Sequence, residues 1–167
     1  RDVRRVKGTL EEVLKKAEKI ARELDHPYVG TEHLLLAFMR VCTGVAGQIL
    51  SANGVEEANL YKIVDELISP VGEVTFQEKP KRSPRLEYTL EESKEEAIRF
   101  QSEAIGTEHM LLAILREPDS VATRILLTLN VNIQKIMQDT LEVLGVDIKE
   151  YQEELQEAYQ RKDGILD

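Results

Sequence analysis

The chain has 167 residues, enough to bury a core without disulfides or metals, and its 42% hydrophobic and 32% charged content is that of an ordinary globular protein with a richly charged surface. The net charge of −9 repels a phosphate backbone and argues against nucleic-acid binding. No apolar run approaches the ~20 residues of a bilayer span and no leader segment opens the chain, so a soluble, cytoplasmic protein without membrane contact is expected.

Apolar residues Leu10, Val13, Leu14, Ala17, Ile20, Ala21 and Leu24 recur at helical spacing, and Thr9 with Glu12 three positions on reads as a capping box. Pro27, after Asp25-His26, is expected to break this helix. A second helix runs from Glu32 to about Arg40, with Thr31 where an N-cap belongs and Glu32 in the dipole-favoured first turn. Cys42, the single cysteine, has no intramolecular partner and reads as a buried thiol in a reducing compartment. Gly44 precedes a short third helix that ends at Asn53-Gly54 in the manner of a left-handed C-cap. Leu60, Ile63, Val64, Leu67 and Ile68 stripe a fourth, stopped by Ser69-Pro70.

A Pro- and Gly-bearing linker follows, in which Val71, Val74 and Phe76 suit an extended path against the core. Ser83-Pro84 then restarts the pattern as N-cap and first helical residue. Helices are expected from Pro84 to Ser102, Thr107 to Arg116, Asp119 to Leu129 and Asn132 to Leu144, with Asp119 and Asn132 as caps. Beyond Gly145, Asp147 is suited to cap a last helix with Ile148, Tyr151, Leu155 and Tyr159 on one face and Lys149, Glu150, Glu153, Glu154 and Arg161 on the solvated one.

The two halves are one unit written twice. Gly30-Thr31-Glu32-His33 returns as Gly106-Thr107-Glu108-His109, an offset of 76 that also pairs Leu10 with Leu86, Leu24 with Phe100, Arg40 with Arg116, Ile49-Leu50 with Ile125-Leu126 and Val55 with Val131 without a gap. The fold expected is all-α, a pseudo-twofold pair of four-helix repeats with an extra C-terminal helix. Its organisation reads as a lead over 1–8, repeat one over 9–69, a linker over 70–83, repeat two over 84–145 and a tail over 146–167.

No phosphate loop, dinucleotide fingerprint, His-Glu-x-x-His or paired cysteines occur, so the sequence offers catalysis no recognisable footing. Glu32-His33 and Glu108-His109 are adjacent, and neighbouring side chains on a helix diverge by roughly 100°, which does not make a chelate. The duplicated Thr-Glu has two readings. A helix N-terminus with a Thr hydroxyl seats an anion while the Glu carboxylate takes a guanidinium, so the pair suits a ligand carrying both charges. The same residues are also what a well-capped helix start looks like, with His33 and His109 buttressing the loop through a backbone hydrogen bond.

The runs PYVGTEHLLLAFMR and EAIGTEHMLLAILRE, each followed by a helix ending in NGV or LNV, resemble the double repeat of the Clp N-terminal domain, the front module of ClpC-type and more distantly ClpA- and ClpB-type AAA+ unfoldase chaperones. The resemblance covers about residues 9 to 145, and Ser83-Pro84-Arg85 is similar to the family's entry into its second repeat. Three departures stand out: Ser102 where the first copy keeps His26, Ala37 and Ala113 where Gly is frequent, and an unmatched opening from Arg1 to Gly8.

The resemblance implies a domain, monomeric when isolated, tethered in front of a hexameric ATPase ring. It would receive unfolded or phosphoarginine-tagged substrates and adaptors of the MecA type, with phosphoarginine held at Thr31 and Glu32 in one repeat and at Thr107 and Glu108 in the other. It implies no cofactor here, ATP and Mg belonging to the ATPase modules. The start at Arg1 and the closing Gly164-Ile165-Leu166-Asp167, similar to a lead-in to such a module, give the expectation of a piece of a longer protein. The rival reading is a stand-alone accessory protein that docks on a Clp protease complex without reading phosphoarginine.

Overall fold

The computed structural model describes residues 4–41, 43–67, 80–154 and 156–157. Cys42, Ile68 of the fourth-helix stripe with its expected Ser69-Pro70 stop, the linker residues 71–79, and Leu155, Tyr159 and Arg161 of the tail lie outside them. In chain order the elements are β1 (Arg5–Val6), α1 (Gly8–Glu23), β2 (Tyr28–Val29), α2 (Thr31–Arg40), α3 (Val45–Ala52), α4 (Glu57–Glu66), β3 (Lys81–Arg82), α5 (Pro84–Arg99), β4 (Ala104–Ile105), α6 (Thr107–Leu115), α7 (Val121–Thr128) and α8 (Ile133–Val143). A further helix, α9, occupies residues 148–154 and 156–157.

The architecture is all-α, two four-helix repeats and an added helix, as the periodicity predicts. The repeats do not fold around separate interiors. A continuous core runs from Leu10, Leu34, Leu35 and Leu50 of the first to Leu86, Leu111, Ile125 and Ile136 of the second, because α2 packs on α7 and α3 on α6 across the pseudo-twofold. Neither repeat can bury its apolar stripe alone, and each uses its copy to do so.

The short strands tie the repeats crosswise. β1, which leads into α1, pairs in parallel with β4, which leads into α6; β3, which leads into α5, pairs with β2, which leads into α2. Helix α1 consequently starts where the ribbon ends. Lys7 is its N-cap with no side-chain cap, the Lys7 amide donates to the Ile105 carbonyl at 2.9 Å, and Thr9 lies inside the first turn. The capping box expected at Thr9 and Glu12 does not form, because a tertiary strand pairing sets the start of the helix before local capping can.

The end of α1 also differs from expectation. Asp25 adopts a left-handed φ of 57°, and the His26 amide closes back on the Ala21 carbonyl at 2.9 Å. Gln101, 76 residues on, has φ 54°, and the Ser102 amide closes on Ala97 at 2.9 Å. Repeat two has Glu103 where repeat one has Pro27, so the turn is made by the left-handed residue and its two closing hydrogen bonds rather than by proline. Gly54 and Asn130 form a second such pair, at φ 87° and 63°, ending α3 and α7.

Ser83 and Asn132 cap α5 and α8 as expected, accepting from the amides of Leu86 and Lys135 at 3.1 Å each. Ser120, not Asp119, caps α7, its hydroxyl accepting from the Thr123 amide at 3.2 Å. Asp119 instead pairs with Arg85 at 3.1 Å, an ion pair between elements that no local signal announces. Asp147 begins α9, accepting from the Lys149 amide at 3.1 Å. Tyr151 is buried there against Leu112 and Leu141, while Lys149, Glu150, Glu153 and Glu154 face solvent.

Candidate functional site

Each Gly-Thr-Glu-His stretch enters its helix from a strand of a crossed ribbon, and all four residues have assigned partners. The N-cap is the glycine, not the threonine: Gly30 and Gly106 are extended, and their N–H groups donate to Nδ1 of His33 and His109 at 2.9 Å. With Nδ1 accepting, the imidazole proton sits on Nε2. In repeat one it is directed at Nδ1 of His26, 2.8 Å away, and in repeat two at the Ser102 hydroxyl, 2.9 Å away. The His-to-Ser departure therefore preserves the interaction. Burial, with the His26 charge adding to it, pushes His33 down to about 3, and burial lowers His109 as well. Both are neutral acceptors at ordinary pH.

The glycines leave room for a carboxylate rather than serving a special backbone angle. A Cβ at Gly30 would collide with Oε1 of Glu32, and one at Gly106 with Oε1 of Glu108, because each carboxylate folds back over the N-cap. Glu32 accepts a hydrogen bond from its own amide, yet burial still raises its carboxyl above the ordinary value.

The threonines serve the opposite repeat. Thr31 Oγ1 accepts from the Ala122 amide in the first turn of α7 at 3.2 Å, and Thr107 Oγ1 accepts from the Ala46 amide in the first turn of α3 at 3.1 Å. Each threonine stands where two helix N-termini from different repeats converge. Its lone pair is used by one of them, and its O–H proton is left to donate. The positive ends of two helix dipoles meet at each such point beside a carboxylate, which is suited to a ligand bearing an anionic and a cationic group together.

The structure thus brings Thr31 together with Glu32 and Thr107 with Glu108, each pair in its own place and each Thr against the other repeat. It also adds Lys7, whose Nζ lies 3.6 Å from Glu108 Oε2. Extending the 76-residue offset back beyond Leu10 pairs Arg5 with Lys81 and Lys7 with Ser83, the signal that exposes this segment as part of the repeat. Among the described residues no cluster of three metal-ligating side chains occurs, and no single helix is long and apolar enough to cross a membrane.

Compared with known proteins, residues 6–129 match the family described as the Clp repeat N-terminal domain. The chain is 36% identical over 135 residues to the negative regulator of genetic competence ClpC/MecB of Bacillus subtilis, covering 81% of this chain and 16% of that protein. It is 34% identical over 133 residues to a probable ATP-dependent Clp protease ATP-binding subunit of Chlamydia pneumoniae, covering 80% and 16%. Its fold is similar to the crystal structure of the N-terminal domain of the caseinolytic protease associated chaperone ClpD from Arabidopsis thaliana. That match has a TM-score of 0.71 and 21% identity, and covers 85% of this chain and 96% of the other. The chain spans about 16% of the length of the curated relatives it matches.

Proposed function

This chain belongs to the Clp repeat N-terminal domain family, and on that premise we propose that it is the receptor module of a cytoplasmic ATP-dependent unfoldase, taking up protein substrates and adaptors of the MecA type. Within that role it binds phosphoarginine-tagged proteins, one tag per repeat. Thr31 with the converging N-termini of α2 and α7 meets the phosphate in repeat one, and Glu32 meets the guanidinium; Thr107 and Glu108 do the same in repeat two. The observation that carries the reading is the duplicated junction, in which a threonine hydroxyl and a folded-back carboxylate stand where two helix N-termini from different repeats meet. A tag with a phosphate on a guanidinium presents the complementary charges side by side, and contacts of this kind are charge-assisted.

Calorimetric titration of free phosphoarginine tests it. Glu32→Ala is expected to weaken one site and Glu108→Ala the other by about 10- to 150-fold, the range that follows from losing one charge-assisted hydrogen bond. Far-UV circular dichroism of the same variants should match the wild type. Loss of helicity without any effect on a measurable affinity would assign both carboxylates to helix capping and leave adaptor docking as the function.

A further inference from the structure

The offset that makes the repeats equivalent also shows where they part. The residue two places before the N-cap glycine is Tyr28 in repeat one, 56% exposed, and Ala104 in repeat two, buried. The residue that opens the following helix from the partner strand is Ser83 for repeat one and Lys7 for repeat two. The Ser83 hydroxyl is committed to the Leu86 amide, whereas the Lys7 ammonium reaches the Glu108 carboxylate. Glu108 is itself buried to 8% exposure, and Glu32 is half-buried. Among the described residues no cation lies within ion-pair distance of Glu32.

We propose, resting on the phosphoarginine reading above, that the two sites are inequivalent: Glu32, half-buried, carries no cation of the described residues, whereas in repeat two Lys7 holds the Glu108 carboxylate and must be displaced before a guanidinium reaches it. The chemistry is competition between like groups. An ammonium and a guanidinium seek the same carboxylate oxygens, and a buried carboxylate does not serve two cations at full strength. At the first site no cation of the described residues has to be displaced. A protein carrying a single tag therefore docks first through repeat one, and repeat two engages when a second tag is held at high effective concentration by the first.

The experiment is an NMR titration of the isotope-labelled domain with free phosphoarginine, following the amides of Glu32 and His33 for one site and of Glu108 and His109 for the other. In the wild type the repeat-one amides should saturate at several-fold lower ligand concentration. Lys7→Ser, which gives repeat two the residue of repeat one, should tighten the repeat-two site by about 2- to 5-fold, the range of a half-exposed ion pair, with repeat one unchanged. Equal affinities in the wild type, or no change at repeat two in Lys7→Ser, would overturn the inequivalence and leave the two-site reading standing. Weaker binding at repeat two in Lys7→Ser would make Lys7 a ligand of the phosphate instead of an occupant of Glu108. Shifts at neither site in either protein, with both spectra those of a folded domain, would remove the phosphoarginine reading and this inference with it.

Discussion

Arg40 and Arg116 stand 76 residues apart at the C-terminal ends of α2 and α6, and the two repeats surround them differently. Arg40 lies near the surface, paired with Glu57 at 2.6 Å and with Glu23 at 4.0 Å, its guanidinium 5.4 Å from the centre of the Tyr61 ring. Arg116 is turned inward onto Glu96, a carboxylate with no solvent exposure, and reaches Glu92 at 3.4 Å. The position equivalent to Glu96 in repeat one is Ile20, part of the apolar core. Glu96 also accepts from the Tyr151 hydroxyl of α9 at 3.3 Å, and Arg99 joins Glu154 of the same helix at 3.1 Å. The buried charge thus sits where α9 is anchored. One repeat closes its core with isoleucine, and the other places a carboxylate there that positions an added helix. Such a pair stabilises little by itself and is costly to break.

That contrast sets the largest expected effect. Arg116→Ala strands Glu96 without its main counter-charge in a site where burial already raises its carboxyl, and should cost about 3–5 kcal/mol. Arg40→Ala removes a partly exposed pair and should cost about 1 kcal/mol or less. Urea denaturation of the two variants checks this, and equal losses would break the comparison. The double variant Glu96→Ile with Arg116→Met, which gives position 96 the isoleucine that repeat one has at 20 and removes the buried charge with its partner, should recover part of the stability while loosening α9, whose Tyr151 hydroxyl loses its carboxylate, seen as faster proteolysis of the tail.

The histidines give the next effect. Because the folded-state value of His33 lies near 3, below its ordinary 6.5, the unfolded chain binds a proton that the folded chain refuses. Stability from this group is therefore complete above pH 6.5 and falls as the pH drops through the window from 6.5 towards 3, by about 1.4 kcal/mol per unit. The loss has a visible cause, since a protonated Nδ1 would confront the Gly30 N–H instead of accepting from it. Glu32 and Glu96, raised by burial, act with the opposite sign: the folded state holds their protons more tightly, so they add stability as pH falls. The slope is isolated by comparing the wild type with His33→Asn, whose denaturation midpoints should depend less on pH between 6.5 and 5. Identical slopes would mean that His33 charges in place.

Much of this was legible beforehand, and the boundary is physical. Helical periodicity at Leu10 to Leu24 and its copy, with caps such as Ser83 and Asn132, are local signals that tertiary structure leaves alone. The failures cluster where distant segments set a local choice. Thr9 lost its cap role to a ribbon between Arg5–Val6 and Ala104–Ile105, Asp119 to an ion pair with Arg85, and Thr31 and Thr107 to amides of the opposite repeat. Glu32 and Glu108 are marked by the return of the motif alone, and Lys7 carries no such mark, because the offset pairs it with Ser83, a residue of different chemistry. Pro27 is a local helix-breaking signal, yet Gln101 makes the same turn in a copy without proline.

The crossed threonines supply the smallest effect and the sharpest internal comparison. Thr31 serves α7, which already has Ser120 as its own N-cap; Thr107 serves α3, whose N-cap is Gly44 and brings no side chain to the helix start. The Ala46 amide is thus satisfied from across the interface by the one side-chain cap described for α3, while α7 has two. Loss of a side-chain cap costs typically about 1 kcal/mol. Thr107→Val, which keeps shape and removes the acceptor, should lower stability by about that amount, and Thr31→Val by less, because Ser120 still holds the first turn of α7. Since both threonines also bridge the repeats, hydrogen exchange should show the difference locally: amides of α3 exchange faster in Thr107→Val, and those of α7 change little in Thr31→Val. The reverse order would mean that Ser120 contributes nothing to α7 that Thr31 does not already provide, and would place the stronger inter-repeat tie on the side of repeat one.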